Sequence, residues 1–398
     1  MMGFFGSRPN ATDNATSGDS APEALFERFT IDRNKTYGEG GYGRTFAAKD
    51  KTTGQPLACK LIDMRRMRED AIKKECKILE TLTHPNVISV KAHGKGVGSQ
   101  SHIYFIFMEL ASGGELFDQV IDRGANAMDE ATARGFFGQI IDGIAYCHLA
   151  GVAHRDLKLE NVLLNEQGVI KVIDFGLSHV YPRAADGSVD RTTRLHDVCG
   201  SKSYAAPEVL ANTADGYDGY AADMWSLGVS IFAMLSGFFP LDEATVNDWR
   251  FPKLIDAQRR GHSTVSSVYQ WYKRPVHLSA EVRHMIDGLL TIDPRRRMTM
   301  EQLRQHPWIR GTKFGGAGAA DQGTFHPGME VGDGDGPTYR GFQGGPAEDD
   351  QEMYVEDDDM PVCHGAPAPR TSRAQLPPQG GSPCLPESLH LPPVGIGV

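Results

Sequence analysis

Between about Phe26 and Ile309 apolar residues recur regularly, and their period changes along the way. Five stretches alternate or cluster apolar side chains between turn-forming residues and predict strands: FTIDRNKTYG, TFAAKDKTTG, LACKLIDM, VISVKAHG and IYFIFMEL. Among them EDAIKKECKILETL carries Ile72, Cys76 and Leu79 at helical spacing and predicts one helix. After the strands the period becomes helical in DEATARGFFGQIIDGIAYCHLAG, DMWSLGVSIFAMLSG, LSAEVRHMIDGLL and TMEQLRQHPW. The class predicted is α+β: a small sheet lobe with one helix, then a larger helical lobe. Any ligand cleft is expected at their junction.

The flanks read differently. Residues 1–25 are small and polar, and 310–398 are rich in Gly, Pro, Asp and Glu. Neither buries enough apolar surface to offset its ordering entropy, so both are expected to be disordered. The folded body is then 26–309, with the small lobe at 26–108 and the large lobe at 112–309. The formal charge of −10 sits mostly in the tail: residues 311–398 hold 13 acidic and 4 basic side chains, leaving the rest near neutral. No broad basic surface points to nucleic acid. The six cysteines form no Cys-x-x-Cys pair, which suits free thiols in a reducing compartment.

No apolar run approaches the roughly 18 to 20 residues of a membrane helix. The longest, Leu227 to Pro240, is interrupted by Gly228, Ser230, Ser236 and Gly237 and reads as a buried helix. Integral membrane contact is not expected. The N-terminus lacks a basic start and a long apolar segment. MGFFGS loosely resembles a myristoylation signal, but Met1 precedes it and Phe4 is a bulky neighbour. The expected location is the cytoplasm or the nucleus.

Chemistry concentrates in two places. Gly38-Glu39-Gly40-Gly41-Tyr42-Gly43 lies between two predicted strands, where glycines let a hairpin approach phosphates and offer them N–H groups. On its own this is a weak signal. Lys60 follows on the next strand and Glu75 on the next helix, and a lysine in a strand interior needs a partner for its charge. The second place is His154-Arg155-Asp156-Leu157-Lys158-Leu159-Glu160-Asn161, followed by Asp174-Phe175-Gly176. Phosphoryl transfer needs a carboxylate for the hydroxyl proton, a divalent cation on the phosphates and positive charge on the transferring group. Asp156 can be the base, Lys158 can meet the γ-phosphate, and Asn161 and Asp174 are hard oxygen ligands for Mg²⁺.

With these motifs the chain resembles the eukaryotic protein kinases, of serine/threonine type, over about Phe26 to Ile309. The match includes Ala206-Pro207-Glu208, Asp223-x-Trp225-Ser226-x-Gly228, Asp293-Pro294-x-x-Arg297-x-Thr299 and His306-Pro307-Trp308. MELASGGELFD, HRDLKLEN, VIDFGLS and CGSKSYAAPEVL look most like the calcium/calmodulin-dependent and AMP-activated group. The resemblance implies the bilobal kinase fold, ATP and Mg²⁺ as cofactors, and protein substrates with Ser or Thr acceptors. Lys60, paired with Glu75, would hold the α- and β-phosphates. Tyr37, Thr45 and Ala58 would line the nucleotide's site. Glu109 and Ala111 would offer backbone groups to adenine beside Met108. Glu208 and Arg297 would form a structural ion pair, and Leu79, Val90, His154 and Phe175 a hydrophobic column between the lobes. Glu115 and Glu160 would receive an arginine upstream of the target residue, or face the ribose or water.

Thr45 and Leu159 depart mildly from the family's commonest pattern, which has valine and proline there. The activation segment, Asp174 to Glu208, departs more, with the polar insert PRAADGSVDRTTR. Counting back from Cys199-Gly200-Ser201, Asp197 stands where relatives carry a phosphorylated threonine, so a pairing with Arg155 would partly mimic the phosphate. Thr192 and Thr193 are the alternative phosphoacceptors. No basic amphipathic helix follows Trp308, so calmodulin binding is not expected. A single monomeric catalytic domain is expected. The rivals are a catalytically weak pseudokinase scaffold, which usually loses Lys60, Asp156 or Asp174, and a small-molecule kinase, which should lack Ser201 to Glu208.

Overall fold

The computed structural model describes residues 22–40, 43–121 and 128–311. The predicted leader up to residue 21, the loop tip at 41 and 42, and the predicted tail from 312 lie outside them.

Helix α1 (Pro22–Arg28) opens the described chain, and Leu25 on it is buried. The helix thus begins four residues ahead of the start expected for the folded body at residue 26. Pro22 to Leu25 are helical because Leu25, Phe26 and Phe29 cover one face of the sheet, with Phe26 edge-on to Phe105 and Phe29 stacked on Phe107. That sheet has five antiparallel strands in the order β1-β2-β3-β5-β4: β1 (Phe29–Gly40), β2 (Gly43–Asp50), β3 (Pro56–Asp63), β4 (Val90–Lys95) and β5 (Ile103–Glu109).

Strand alternation divides its side chains. On β3, Leu57, Cys59 and Leu61 enter the aromatic core under α1, with Phe107 opposite Cys59 and Phe105 opposite Leu61. Ala58 and Lys60 lie between them in sequence and point the other way, because successive side chains alternate faces. Thr45 is opposite Lys60 and Met108 opposite Ala58, so all four share that second face.

Helix α2 (Glu69–Thr81) buries Ile72, Cys76, Leu79 and also Glu75, and it stops at Leu82, whose backbone is extended. The predicted strand VISVKAHG begins later than expected, at Val90. Val87 instead bridges Val172, and Ile88 donates to the Val172 carbonyl, so these two residues tie the lobes together. After β2, the Asp50 carboxylate accepts the Thr52 and Thr53 amides and turns the chain.

The large lobe runs through α3 (Leu116–Ile121), α4 (Glu130–Leu149), β6 (Val152–Ala153), β7 (Val162–Leu164), β8 (Ile170–Val172), β9 (His179–Val180), α5 (Pro207–Ala211) and α6 (Gly219–Ser236). It ends with α7 (Arg250–Arg259), α8 (Thr264–Trp271), α9 (Ala280–Leu289), α10 (Met300–Gln305) and α11 (Pro307–Arg310). The interrupted apolar run proves to be α6, buried along almost its whole length at the centre of the lobe. Its Gly228 is a contact point: a Cβ there would lie 2.8 Å from side-chain atoms of both Leu289 and Leu290 at the end of α9. Helices α7 and α8 had no prediction. They are short, and Pro252 in the first turn of the polar α7 hides a helix that tolerates it there. Among the described residues no helix is long and apolar enough to cross a membrane.

Candidate active site

The two predicted clusters meet in one cleft of about 470 Å³. Tyr37, Gly38, Glu39, Gly43, Thr45, Ala58 and Lys60 line it from the small lobe. Met108, Glu109, Ala111 and Glu115 line the back and side, and Lys158, Glu160, Asn161 and Asp174 the floor. Larger cavities of about 640 and 850 Å³ in the large lobe bring together none of the candidate catalytic residues.

Lys60 Nζ lies 3.4 Å from Glu75 Oε1. Burial pulls the lysine's pKa down, but the carboxylates of Glu75 and Asp174 outweigh it and the net direction is up. The ammonium is thus fixed in its charged form. Burial also pushes the Glu75 carboxyl up, against the pull of Lys60, with Asp174 adding to the rise. Two carboxylates around one ammonium leave the site short of positive charge.

On the floor, Asp156 is held on both oxygens. Its Oδ1 accepts the Ser201 amide at 2.9 Å and the Ser201 hydroxyl at 3.0 Å. Its Oδ2 lies 3.2 Å from Lys158 Nζ and 3.3 Å from Asn161 Nδ2. Lys158 also donates to Ser201 Oγ at 2.9 Å. Gly200, at φ 90, permits this approach: a Cβ there would stand 2.7 Å from the Arg155 carbonyl oxygen. Ser201 thus joins its segment to Asp156 and Lys158 together, a link its sequence position had left open.

Asn161 donates its amide N–H to the Asp156 carbonyl at 2.9 Å, which leaves its oxygen turned away and free to coordinate. Among the described residues no three His, Cys, Asp or Glu side chains cluster to hold a metal. Two hard oxygen donors beside a charge-deficient cleft nevertheless fit Mg²⁺, which takes few protein ligands and completes its shell with phosphate and water. Gly38 fits a phosphate ligand in the same way. A Cβ there would meet no protein atom within 4 Å, so protein packing does not demand the glycine and the space faces the cleft.

The backbone here is strained. Arg155 and Asp174 adopt left-handed φ values of 67 and 64, a conformation costly for side-chain-bearing residues and persistent only where surroundings enforce it. At Arg155, Asp223 on α6 supplies that enforcement. It is fully buried, and its carboxylate accepts the His154 amide at 2.9 Å, the Arg155 amide at 2.8 Å and His148 Nε2 at 2.8 Å. Phe175 is buried against His154, ring centroids 4.8 Å apart, and Leu79 and Val90 are buried too. Glu208 and Arg297 form the expected pair, bidentate at 2.6 and 2.8 Å.

Around the activation segment, Arg155 Nη1 meets Asp197 Oδ2 at 3.3 Å and Tyr217 Oη at 3.1 Å. The Tyr217 hydroxyl in turn donates to the Asp197 carbonyl at 2.9 Å. Thr192 instead donates its hydroxyl to Asp190, and Thr193 is exposed. Glu115 and Glu160 lie near one another: burial raises the Glu115 carboxyl first, with Asp118 and Glu160 adding to it. Glu160 Oε2 is buried with no hydrogen-bond partner. The Glu109 carboxylate is occupied structurally, accepting from the Ser89 amide and from Lys171 Nζ, both at 2.8 Å. Sequence reasoning missed Tyr217, His148 and His179. His179 has a buried Nε2 without a partner, and burial and Arg155 depress its pKa. No local motif marks these three, since their partners lie far away in the chain.

Residues 31–309 match the family model described as protein kinase domain. The chain is similar to CBL-interacting protein kinase 9 of Oryza sativa subsp. japonica, 36% identical over 280 residues, covering 69% of this chain and 56% of the relative. It is 39% identical over 280 residues to CBL-interacting serine/threonine-protein kinase 1 of Arabidopsis thaliana, covering 69% and 57%. It is 36% identical over 302 residues to serine/threonine protein kinase OSK3 of Oryza sativa subsp. indica, covering 75% and 53%. The matched region thus spans little more than half the length of these curated relatives.

Proposed function

The chain belongs to the protein kinase family, and from that premise we propose that it transfers the γ-phosphoryl group of ATP to serine or threonine hydroxyls of proteins. The observation that carries this reading is Asp156, a carboxylate held on both oxygens beside Lys158 and Asn161, which line the same cleft as Lys60 and Asp174. Asp156 would accept or orient the proton of the attacking hydroxyl, and Lys158 would steady charge on the transferring group. Lys60, kept in register by Glu75, would position the phosphates. Mg²⁺ bound by Asn161 and Asp174 would supply the missing positive charge. Thr45, Ala58 and Met108 supply a ceiling and back wall suited to a purine, with the backbone of Glu109 and Ala111 at its edge.

A preference for arginine upstream of the acceptor is supported by the Glu115–Glu160 pair. Two neighbouring carboxylates on the cleft wall, of which Glu160 has only the Tyr204 hydroxyl beside it, suit a guanidinium, which binds them with charge-assisted bonds. Two relatives carry CBL-interacting in their names. The matched region leaves close to half of their length uncovered, so that partnership is not carried over.

The test is ATP turnover by purified protein with a basic Ser/Thr peptide, repeated with Asp174→Asn. Turnover with the native chain and its loss in the variant is the expected result. Nucleotide binding without turnover would favour the pseudokinase scaffold, and turnover only with small-molecule acceptors would overturn the protein-substrate reading.

A further inference from the structure

The insert in the activation segment is folded against the large lobe. Residues 182–190 close a small hairpin: Asp190 donates its amide to the Pro182 carbonyl, Ala184 donates to Ser188, and Arg183 bridges Val189. Arg183 then fastens the hairpin outward, donating to the Gly187 carbonyl at 2.8 Å and to the Leu149 carbonyl at the end of α4 at 2.9 Å. Beyond the hairpin, Arg191 pairs with Asp218, the N-cap of α6, while its guanidinium lies 4.6 Å over the Tyr220 ring.

Tyr220 is part of a column leading inward. Its ring stacks on His148 at 4.0 Å with an 8° tilt, and its hydroxyl donates to the His148 carbonyl at 2.5 Å. His148 donates through Nε2 to Asp223, because a carboxylate can only accept. Asp223 binds the amides of His154 and Arg155 and so enforces the strained backbone from which Asp156 projects. A second arm leaves the insert at Leu195, which exchanges backbone hydrogen bonds with Tyr217 at 2.9 and 2.8 Å. Tyr217 then engages the Arg155 guanidinium. Both arms converge on Arg155, one on its backbone and the other on its side chain.

We infer that the 182–195 stretch is a built-in clasp, with Arg191 as its positioning residue, that holds the catalytic loop and activation segment in working geometry without phosphorylation. The physical need is plain. The Arg155–Asp197 pair joins a guanidinium to a carboxylate that is 78% exposed, and exposed pairs contribute little. The Arg191–Asp218 pair is itself partly open, with the guanidinium 45% and the carboxylate 15% exposed, but that carboxylate sits at a helix N-terminus and the cation–π contact to Tyr220 adds to the pair. The clasp therefore carries ordering that the aspartate cannot supply alone. Arg191 touches no reacting group and acts through Tyr220 and Asp218.

The role in turnover rests on the kinase reading, whereas the clasp itself can be read without turnover. The experiment compares the native chain with Arg191→Ala, Arg191→Lys and Tyr220→Leu, all unphosphorylated, by amide hydrogen exchange and steady-state kinetics. Arg191→Ala should speed exchange at the His154, Arg155 and Leu195 amides. It should also lower kcat about five- to tenfold, the size of one cation–π contact with a partly buried ion pair, and leave KM for ATP near the native value. Arg191→Lys should recover part of both effects. Arg191→Ala in a Tyr220→Leu background should add less than it does alone, because the two share one contact. Native exchange at those amides in Arg191→Ala would overturn the clasp whether or not the chain turns over ATP. An equal loss in kcat and nucleotide affinity with unfolding would also overturn it, leaving Arg191 merely structural. Absence of turnover in the native chain with the exchange effect intact would uphold the clasp and sink the kinase reading instead.

Discussion

Arg155 and Asp197 meet at 3.3 Å, a guanidinium 8% exposed facing a carboxylate 78% exposed. The sequence expectation sets this aspartate in place of a phosphorylated threonine, but one solvated carboxylate offers less charge and fewer acceptor oxygens than a phosphate. An exposed pair contributes about 0.5–1 kcal/mol, so Asp197→Ala should lower the activity of unphosphorylated protein about two- to fivefold. Peptide kinetics on phosphatase-treated protein check this. Activity equal to the native chain's would remove Asp197 from regulation, leaving Thr192 and Thr193 as the acceptors to examine by mass spectrometry.

Ser201 is bonded to Asp156 through both its amide and its hydroxyl. Ser201→Ala keeps the amide contact and removes the hydroxyl that Lys158 also uses. Its kcat should drop about tenfold, while Asp156→Asn should lose about 10²- to 10⁴-fold, the range of a positioned acid–base group. Single-turnover rates at saturating ATP separate the two. A Ser201→Ala rate as low as that of Asp156→Asn would contradict the proposed division of roles.

Peptide choice should follow the two acidic side chains in the cleft. Glu160→Gln and Glu115→Gln should each raise KM for arginine-containing peptides about tenfold, in line with loss of a charge-assisted bond worth about 1.5 kcal/mol. Peptides without upstream arginine should be unaffected. A positional-scanning array run on native and variant proteins reads this directly, and an arginine preference that survives both substitutions would place its origin elsewhere.

Arg297 is 3% exposed, and it binds Glu208 bidentately, donates to the Thr291 carbonyl at 2.9 Å and lies 5.2 Å over the Trp225 ring. Arg297→Ala leaves Glu208 without its partner, and breaking a buried pair from one side costs about 3–5 kcal/mol. Arg297→Lys cannot reproduce the two-pronged geometry and should still be destabilising. Denaturant unfolding of the whole chain measures both. A Lys variant as stable as the native protein would mean that charge alone matters there.

Acid sensitivity should come from His306. Its Nδ1 accepts the Trp308 amide, so the neutral ring carries its proton on Nε2 and donates to His284 Nδ1 at 2.9 Å. Burial, and then His284, push its pKa down to about 4, with Glu281 opposing. Between about 4 and the usual 6.5 the unfolded chain therefore binds protons that the folded chain does not. Stability should be fully present above 6.5 and lost as pH falls toward 4. His306→Gln should lower stability at neutral pH yet flatten this slope. Melting temperatures from pH 7.5 to 5 test it, and an unchanged slope would assign the sensitivity to other groups.

Much of the site was legible because its chemistry is clustered in sequence. Asp156, Lys158 and Asn161 share one loop, and their relative placement follows from a few backbone dihedrals. The strands of the small lobe were legible from alternation, and Ala58 and Lys60 were separable from Cys59 by period alone. Helix α1 was not legible because it is too short to carry a period of its own. It is helical because Leu25 finds Phe29 and Phe107 on the sheet. Helices α7 and α8 went unpredicted for a related reason, being short and held by packing in the large lobe.

By itself the sequence determined which reaction groups exist and in what order they come, since periodicity and motif spacing are local properties of a chain. Tertiary structure alone decided how they are held: Asp223 reaching the amides of His154 and Arg155, Tyr217 reaching the Arg155 side chain, and Arg191 seated on Tyr220. Those contacts join residues 29 to 69 positions apart, and no local pattern encodes a partner at that distance. They arise only when the chain's burial of apolar surface around α6 brings these segments together.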